Sequence, residues 1–275
     1  MNPARKKSSP LVTGAANLIV IGLVALAILP FLFMIVTSVQ NTTRISIAFD
    51  PAKFDLSNYV KLFTIYGFGP ALVTSVIVVV LACLVNLIVC SLAAFAFAKK
   101  PFPGSEPLFW VYVATMMVPG QVTLIPLFTI MRDLGLLNTY LALFLPVINA
   151  FGVFLIRQFM GNVPDELLEA ARIDGASDMR VFAFIVVPLI KPVLVALTVF
   201  TFITTWNDFL WPLVSITDDQ MQTVTLAASK LQSKFTTQYG LVMAGAAVSF
   251  AVPFVMYMFL QRQFVEGITS SGVKG

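Results

Sequence analysis

The stretch DELLEAARIDGASDMRVFAFIVVP (Asp165–Pro188) gathers Asp165, Glu166, Glu169, Asp174 and Asp178 in a chain with only 13 acidic residues among 275. Its local chemistry predicts two short helices around a sharp turn. Pro164 suits a first helical position, and Asp165 and Glu166 fall in the first turn, where the positive end of the helix dipole favours acids. Leu167, Leu168, Ala170, Ala171 and Ile173 supply an apolar surface. Gly175 stands where that helix would end, because glycine takes a left-handed backbone without a side-chain penalty. Ser177 can cap the next helix, with Asp178 behind it. Met179, Phe182, Ile185 and Val186 then form an apolar stripe that runs until Pro188 interrupts.

The sequence on either side is of a different kind. The chain is 59% hydrophobic and 11% charged, with a mean hydropathy of +0.93, whereas a soluble chain carries about a quarter charged residues. The apolar residues fall in six blocks, approximately Asn17–Val39, Ala71–Ala98, Pro107–Ile130, Thr139–Met160, Leu189–Val214 and Leu241–Leu260. Each matches the roughly 20 residues that cross about 30 Å of hydrocarbon as a helix. The expected fold is all-α, a polytopic membrane protein with six transmembrane helices. Pro119 and Pro126 interrupt the third block, which a membrane helix tolerates when neighbours satisfy the freed carbonyls. The first block follows Arg5, Lys6 and Lys7 as a secretory signal would. It is too long for a typical signal core and has no Ala-x-Ala-like site after it, so it reads as a retained span.

Six spans put both termini on one side. That side holds Arg5, Lys6, Lys7, Lys99, Lys100, Arg157, Arg172, Arg180, Lys191, Arg262 and Lys274, eleven of the 17 basic residues. Arg44, Lys53, Lys61, Arg132, Lys230 and Lys234 fall on the other. Cytoplasmic loops carry the excess of Lys and Arg, so both termini and the acidic stretch are expected in the cytoplasm. The organisation is then a tail at 1–16, a membrane domain at 17–262 with a cytoplasmic loop at 162–190, and a tail at 263–275. Two outward loops are long, Gln40–Pro70 and Ser215–Gly240. In the first, FDLSNYVKLF reads as a short amphipathic helix capped by Asp55 or Ser57.

The net charge of +4 reflects this topology, and no basic-aromatic surface pattern points to nucleic acid. Cys83 and Cys90 lie on one face of the second span and read as packing residues, with no disulfide or metal-ligand spacing. There is no histidine and no Gly-x-x-x-x-Gly-Lys-[Ser/Thr] phosphate loop. No cofactor is therefore expected on this chain, and no acid-base constellation suggests an enzyme.

The acidic loop reads either as an amphipathic hairpin resting on the bilayer or as a docking face for another protein. Surface-seeking helices are usually rich in Lys and Arg, so its acidity favours docking, as does the low relief of Ala170 and Ala171. Here Glu169-Ala170-Ala171, Asp174-Gly175-Ala176, Ile185, Pro188 and Pro192 resemble the EAA loop of ABC-importer permeases, with Val187 in place of the leucine often found before the proline. TFITTWNDFLWPL (Thr201–Leu213) and VEGITSSGVKG (Val265–Gly275) are similar to the binding-protein-dependent carbohydrate-uptake permeases of the maltose-transporter MalG type, and the likeness covers nearly the whole chain.

The resemblance implies an ABC type I importer permease fold in the bacterial or archaeal inner membrane. It implies a second homologous permease subunit, two copies of a cytoplasmic ATPase that holds ATP and Mg, and an extracytoplasmic solute-binding protein. It implies a coupling helix that seats in the ATPase, with Glu166, Glu169, Ala170, Ala171, Asp174, Gly175, Ala176 and Pro188 at the contact. The implied solute is a sugar or a related polyol or glycerophosphate compound.

Candidates for the solute path come from polar residues in apolar blocks. Asp208 is an acid inside a span, where ionisable groups are functional by default. It also lies 17 residues beyond Lys191, roughly 25 Å along a helix, close enough to the outer interface to be a brace there. Both roles stay open, with Trp206 and Trp211 as interfacial aromatics. Trp206, Asn207 and Asp208 together resemble a sugar-binding surface. Asn86 and Asn149, in mid-span, either bond between helices or line the path. Gln121, with Thr123, is similar. The alternative is a secondary transporter driven by an ion gradient, which would favour embedded acids and repeated halves.

Overall fold

A computed structural model describes residues 10–43, 50–235 and 237–272. Arg5, Lys6, Lys7, Arg44 and Lys274 lie outside the described residues, and so do the side chains of the segment Val265–Gly275. In chain order the helices are α1 (Pro10–Ser38), α2 (Ser57–Thr64), α3 (Phe68–Lys99), α4 (Ser105–Ala114), α5 (Gly120–Asp133), α6 (Tyr140–Phe144) and α7 (Ala150–Met160). There follow α8 (Asp165–Ile173), α9 (Asp178–Val181), α10 (Val187–Leu189), α11 (Lys191–Trp206), α12 (Leu210–Ser215), α13 (Val224–Lys234) and α14 (Tyr239–Gly272). Among the described residues there is no strand, and Gln40 and Phe54 form an isolated bridge.

Three helices are long and apolar enough to cross a membrane unbroken: Ala16–Ser38, Phe68–Lys99 and Tyr239–Phe259. Three further spans are bent pairs, which brings the number to six when each pair is one span. The third block is two helices rather than one interrupted helix, because Ser105–Met117 meets Gly120–Asp133 at 104°. The cause is Pro119. A proline pushes the preceding residue out of the helical region, and Val118 is extended, with φ −84° and ψ 116°. Pro126, by contrast, stays inside α5. The fourth span bends by 44° before Ala150.

The fifth block, read as Leu189–Val214, bends where it begins and breaks once inside. Asp178–Leu189 meets Lys191–Trp206 at 80°, and the chain leaves helix again between Trp206 and Leu210. Pro188 does not end its helix as expected. Residues Phe182–Val186 widen into a π turn, where Val187 N–H donates to Phe182 O, five residues back. Such a turn accommodates a proline that cannot supply its own N–H. The loop Gln40–Pro70 holds the short helix expected there, α2, whereas Ser215–Gly240 is more structured than the sequence suggested, since it holds α13.

The chain divides into two compact units. One draws on Met1–Tyr66 and Lys230–Val248. Its centre is Asn58, 4% exposed, whose Nδ2 donates to Ser38 O and Gln40 O at 3.1 Å each. Ser38 Oγ and Tyr59 Oη lie 2.7 Å apart. Neither residue proposed to cap α2 holds that position, which is Leu56 without a side-chain bond; Asp55, one residue earlier, accepts Ser57 N–H on Oδ1 at 2.7 Å.

The other unit draws on Gly67–Ser229 and Ser249–Gly275. Here α3 is flanked by α7 and α11 around a buried cluster that includes Cys90, Ala94, Val153, Ile156, Val186 and Leu197. Small residues let membrane helices approach closely. Gly152 does so here, for a Cβ at that position would lie 2.7 Å from Cys90 Sγ. Asn86 is fully buried, with Nδ2 donating to Thr201 Oγ1 at 2.9 Å and Oδ1 accepting the Cys90 thiol at 3.1 Å. That side chain ties α3 to α11.

Candidate functional site

The acidic loop folds as a helical hairpin closed by its own backbone. Pro164 stands just before α8, with φ −61° and ψ 133°, rather than inside it. At the far end Ala176 N–H donates to Ala171 O at 2.9 Å and Gly175 N–H to Arg172 O at 3.0 Å, the six-to-one and five-to-two pairing of a Schellman cap. Gly175 has φ +82°. Ser177 Oγ accepts Arg180 N–H at 3.4 Å and starts α9.

The apolar surface of α8 splits in two. Leu168 is buried in the bundle core, while Leu167 and Ile173 face outward, Ile173 at 87% exposure. In the following helix the buried residues are Val181, Phe182 and Val186, and Met179 is exposed instead. Glu166, Glu169, Ala170, Asp174, Gly175 and Pro188 are exposed, and Ala171 and Ala176 are half-buried. Ala171, Asp174, Ala176, Arg180, Phe184 and Ile185 line a shallow recess of about 490 Å³.

Charges that the sequence reading assigned only to topology hold this hairpin in place. Lys99, its side chain 4% exposed, bonds Asp165 Oδ1 at 2.8 Å and donates to Val163 O at 2.7 Å. Lys100 meets Asp178 at 2.5 Å, and Arg172 reaches the same carboxylate at 3.5 Å. Arg157 pairs with Glu106 and lies over the Phe109 ring, 3.8 Å from its centroid. The available signal was the Lys99-Lys100 pair at the end of an apolar block, facing an acidic loop.

The hydrogen bond from Lys100, reinforced by the charges of Lys100 and Arg172, holds the Asp178 carboxyl below its ordinary value of 3.8. A depressed carboxyl stabilises the folded form above that ordinary value and loses its contribution as pH falls through the lower folded one. Hydrogen exchange in residues 174–182, corrected for intrinsic rates, is therefore expected to stay flat from neutral pH down to about 4 and to rise below it. In Lys100→Met exchange should already be faster at neutral pH, and the rise below about 4 should be shallower, because the folded and unfolded carboxyl values then lie closer together. An acid limb identical in the two proteins would refute the pairing.

A second site lies among the broken helices. Thr123 of α5, Asn149 at the start of α7, Thr204 and Thr205 of α11, Asp208, and Trp211 of α12 line a recess of about 290 Å³. Asn149 caps α7: its Oδ1 accepts Gly152 N–H at 3.1 Å and its Nδ2 donates to Val147 O at 2.9 Å. Asp208 Oδ1 accepts Trp211 N–H at 3.3 Å.

The other sequence candidates do not converge here. Asn86 is sealed between helices, and Gln121 is exposed beside the recess without lining it. The expected cluster of Trp206, Asn207 and Asp208 is dispersed. Trp206 lines an apolar groove with Cys83 and Val252 and donates Nε1–H to Ser249 O at 3.0 Å. Asn207 is exposed and bonds its own helix at Ile203 O. Trp206 and Trp211 are not interfacial aromatics, at 3% and 7% exposure. Each buries its ring by donating its indole N–H to a carbonyl, which for Trp211 is Ala142 O at 2.8 Å. Thr204 and Thr205 were missed, although they stand four and three residues before Asp208, a spacing that shares a helix face.

Residues 90–270 match the sequence profile of the family described as "Binding-protein-dependent transport system inner membrane component". The chain is 32% identical over 282 residues to the arabinooligosaccharides transport system permease protein AraQ of Halalkalibacterium halodurans, covering 98% of this chain and 100% of that protein. It is 34% identical to the lactose transport system permease protein LacG of Rhizobium radiobacter, over 90% of this chain and 91% of that one. It is 42% identical to the sn-glycerol-3-phosphate transport system permease protein UgpE of Salmonella typhi, over 68% of this chain and 67% of the other. Its fold matches a chain in the crystal structure of a bacterial ABC transporter involved in the import of the acidic polysaccharide alginate. That match has a TM-score of 0.79 at 23% identity, over 93% of this chain and 98% of the other.

Proposed function

Since this chain belongs to the family of binding-protein-dependent transport system inner membrane components, we propose that it forms half of the pathway through which an ATP-driven importer takes up a sugar or a related polyol or glycerophosphate solute. The chain is a multi-pass, non-catalytic permease subunit, and ATP hydrolysis belongs to a separate subunit. Relatives named for arabinooligosaccharides, lactose and sn-glycerol-3-phosphate support the solute class. The ion-gradient alternative is not favoured.

In this reading the partners are a second homologous permease subunit, two cytoplasmic ATPase copies carrying ATP and Mg, and an extracytoplasmic solute-binding protein. Both termini and the hairpin at 164–188 face the cytoplasm of a bacterium or archaeon. The tails are 1–16 and 263–275, on either side of the membrane domain 17–262. The solute-binding protein delivers to Ser215–Gly240 and the neighbouring outer loops.

The observation that carries the proposal is the hairpin itself. Its turn is closed by two backbone bonds, and its base is anchored through Lys99 and Lys100 to the end of α3. A rigid, anchored projection transmits a push, whereas a loose loop absorbs it. Glu166, Glu169, Ala170, Ala171, Asp174, Gly175, Ala176 and Pro188 would meet the ATPase, whose closure moves the hairpin and through it the bundle. Asp208, Asn149, Gln121, Asn86, Trp206 and Asn207 remain the sequence-derived candidates for the solute path, and the recess favours Asp208 and Asn149.

The test is uptake by membrane vesicles carrying the assembled complex and its binding protein. Uptake is expected to require ATP and to survive collapse of the proton and sodium gradients. Uptake that persists without ATP and stops when those gradients collapse would overturn the reading.

A further inference from the structure

Arg157 stands in the last turn of α7, where α7 runs into the acidic hairpin through a tight junction. Gly161 N–H donates to Arg157 O, Asn162 N–H to Phe159 O and Val163 N–H to Met160 O, each at 3.1 Å. Met160, Val163 and Leu168 share one buried cluster, so the end of α7 and the base of the hairpin form a single body. The Arg157 side chain reaches α4 instead. It pairs with Glu106 Oε2 and lies over the Phe109 ring. Glu106 Oε1 is taken by Trp110 Nε1–H at 2.9 Å.

Stability is a poor reason for this arrangement. The Glu106 side chain is 60% exposed, and an exposed ion pair contributes little. Phe109 is already held by Phe97, with ring centroids 5.5 Å apart, and by Phe154 at 6.4 Å. Apolar contacts of that kind are non-directional, whereas a planar guanidinium held at its edge and on its face sets a register. Among the described residues no other ion pair joins α4 to α7, and none joins α4 directly to the hairpin.

The helix so clamped leads to the elbow of the third span. Ser105–Met117 meets Gly120–Asp133 there at 104°. Met117 is 85% and Val118 48% exposed, and a Cβ at Gly120 would meet nothing within 4 Å. A joint with so few buried contacts changes its angle at little cost. Beyond it, Gly120, Thr123, Leu124 and Leu127 form one wall of the recess that Asp208 lines.

We propose that Arg157 is a positioning residue for transport: its clamp on Glu106 and Phe109 makes α4 follow the hairpin, so that ATPase closure changes the angle of the elbow and moves the α5 wall of the recess. The proposal rests on the importer reading and names the residue through which the hairpin acts on the third span.

The test reads the elbow itself, in the assembled complex with its ATPase and binding protein. Nitroxide labels are placed through Val111→Cys on α4 and Ile130→Cys on α5, both exposed, in a chain carrying Cys83→Ser and Cys90→Ser. Their separation is measured by electron paramagnetic resonance with and without Mg-ATP and vanadate. In this labelled parent, trapping is expected to shift the distance. In Glu106→Gln, and separately in Arg157→Gln, the fraction of complexes that shifts should fall by about fivefold, within the range by which one residue alters a coupling. ATP hydrolysis should continue at the parent's rate. The double variant should lose no more than either single one, because two halves of one contact are not additive. Glu106 is exposed, so its isosteric change keeps the test open if Arg157→Gln does not assemble.

A shift as large in both variants as in the parent, losses that multiply in the double variant, or a parent elbow that keeps its distance while the ATPase is trapped would overturn the proposal. Failure of the importer reading looks different. The parent complex would then hydrolyse no ATP and its elbow would ignore vanadate, and the role of the clamp falls with it.

Discussion

Vesicles carrying Gly175→Val are expected to lose ATP-driven uptake while the chain reaches the membrane in normal amount. A Cβ at Gly175 meets nothing within 4 Å, so crowding is not the cause; the backbone is, at φ +82°. A left-handed conformation costs an L-residue about 1–2 kcal/mol, and a β-branched side chain is worse. That is enough to disfavour the closed turn by roughly 5- to 30-fold. The two cap bonds at Ala171 and Arg172 then have no reason to form. The hairpin supplies Leu168 and Val181 to the buried cluster, but Cys90, Val153, Ile156 and Leu197 come from α3, α7 and α11, which is why insertion survives. Gly175→Asn should retain part of the uptake, because asparagine visits this region more readily. Normal uptake by the valine variant at wild-type abundance would remove the hairpin from the coupling role.

The second large effect is expected at Gly240. A Cβ there would run into the carbonyl oxygen of Gln40 and lie 2.8 Å from Asn58 Nδ2. The first obstacle is backbone and cannot swing aside. Moving the second breaks the bonds that Asn58 makes to Ser38 O and Gln40 O. Overpacking and unsatisfied buried polar groups each cost about 1–3 kcal/mol, so Gly240→Ala should destabilise by about 3 kcal/mol. The measurement is the thermal midpoint of the purified chain in detergent, together with membrane abundance. Gly161→Ala is the control, because its Cβ would have only an ordinary contact at 3.4 Å. A Gly240→Ala protein as stable as that control would show that the junction of Ser38, Gln40 and Asn58 is not tightly packed.

Much of the acidic hairpin was legible in sequence because its rules are local. The turn at Gly175 and the cap at Ser177 depend on the residues that make them and on neighbours a few positions away. Ala171 and Ala176 were named for the same reason. What the sequence left open there is which apolar residues point inward: Leu168 and Val181 do, Ile173 and Met179 do not. Amphipathic spacing defines a stripe, but the position of the bundle relative to the loop selects its buried edge.

The solute-path candidates fared differently. Trp206, Asn207 and Asp208 are consecutive, so sequence placed them together, yet the helix ends between them and each goes its own way. Thr205 became a candidate only because the bends before Ala150 and after Val118 bring α5, α7 and α11 around it. Asn149 is a cap because its span is broken there.

The amino-acid order alone determined the apolar blocks long enough to cross a membrane and the two-helix form of the acidic loop. Desolvation of long apolar blocks and the steric needs of glycine, serine and proline act within a helix or a turn. Tertiary structure decided the burial of Lys99 and the convergence of Thr205 with Asp208. Those depend on contacts between residues such as Asn86 and Thr201, 115 positions apart, and no local pattern records which distant helix will supply a partner.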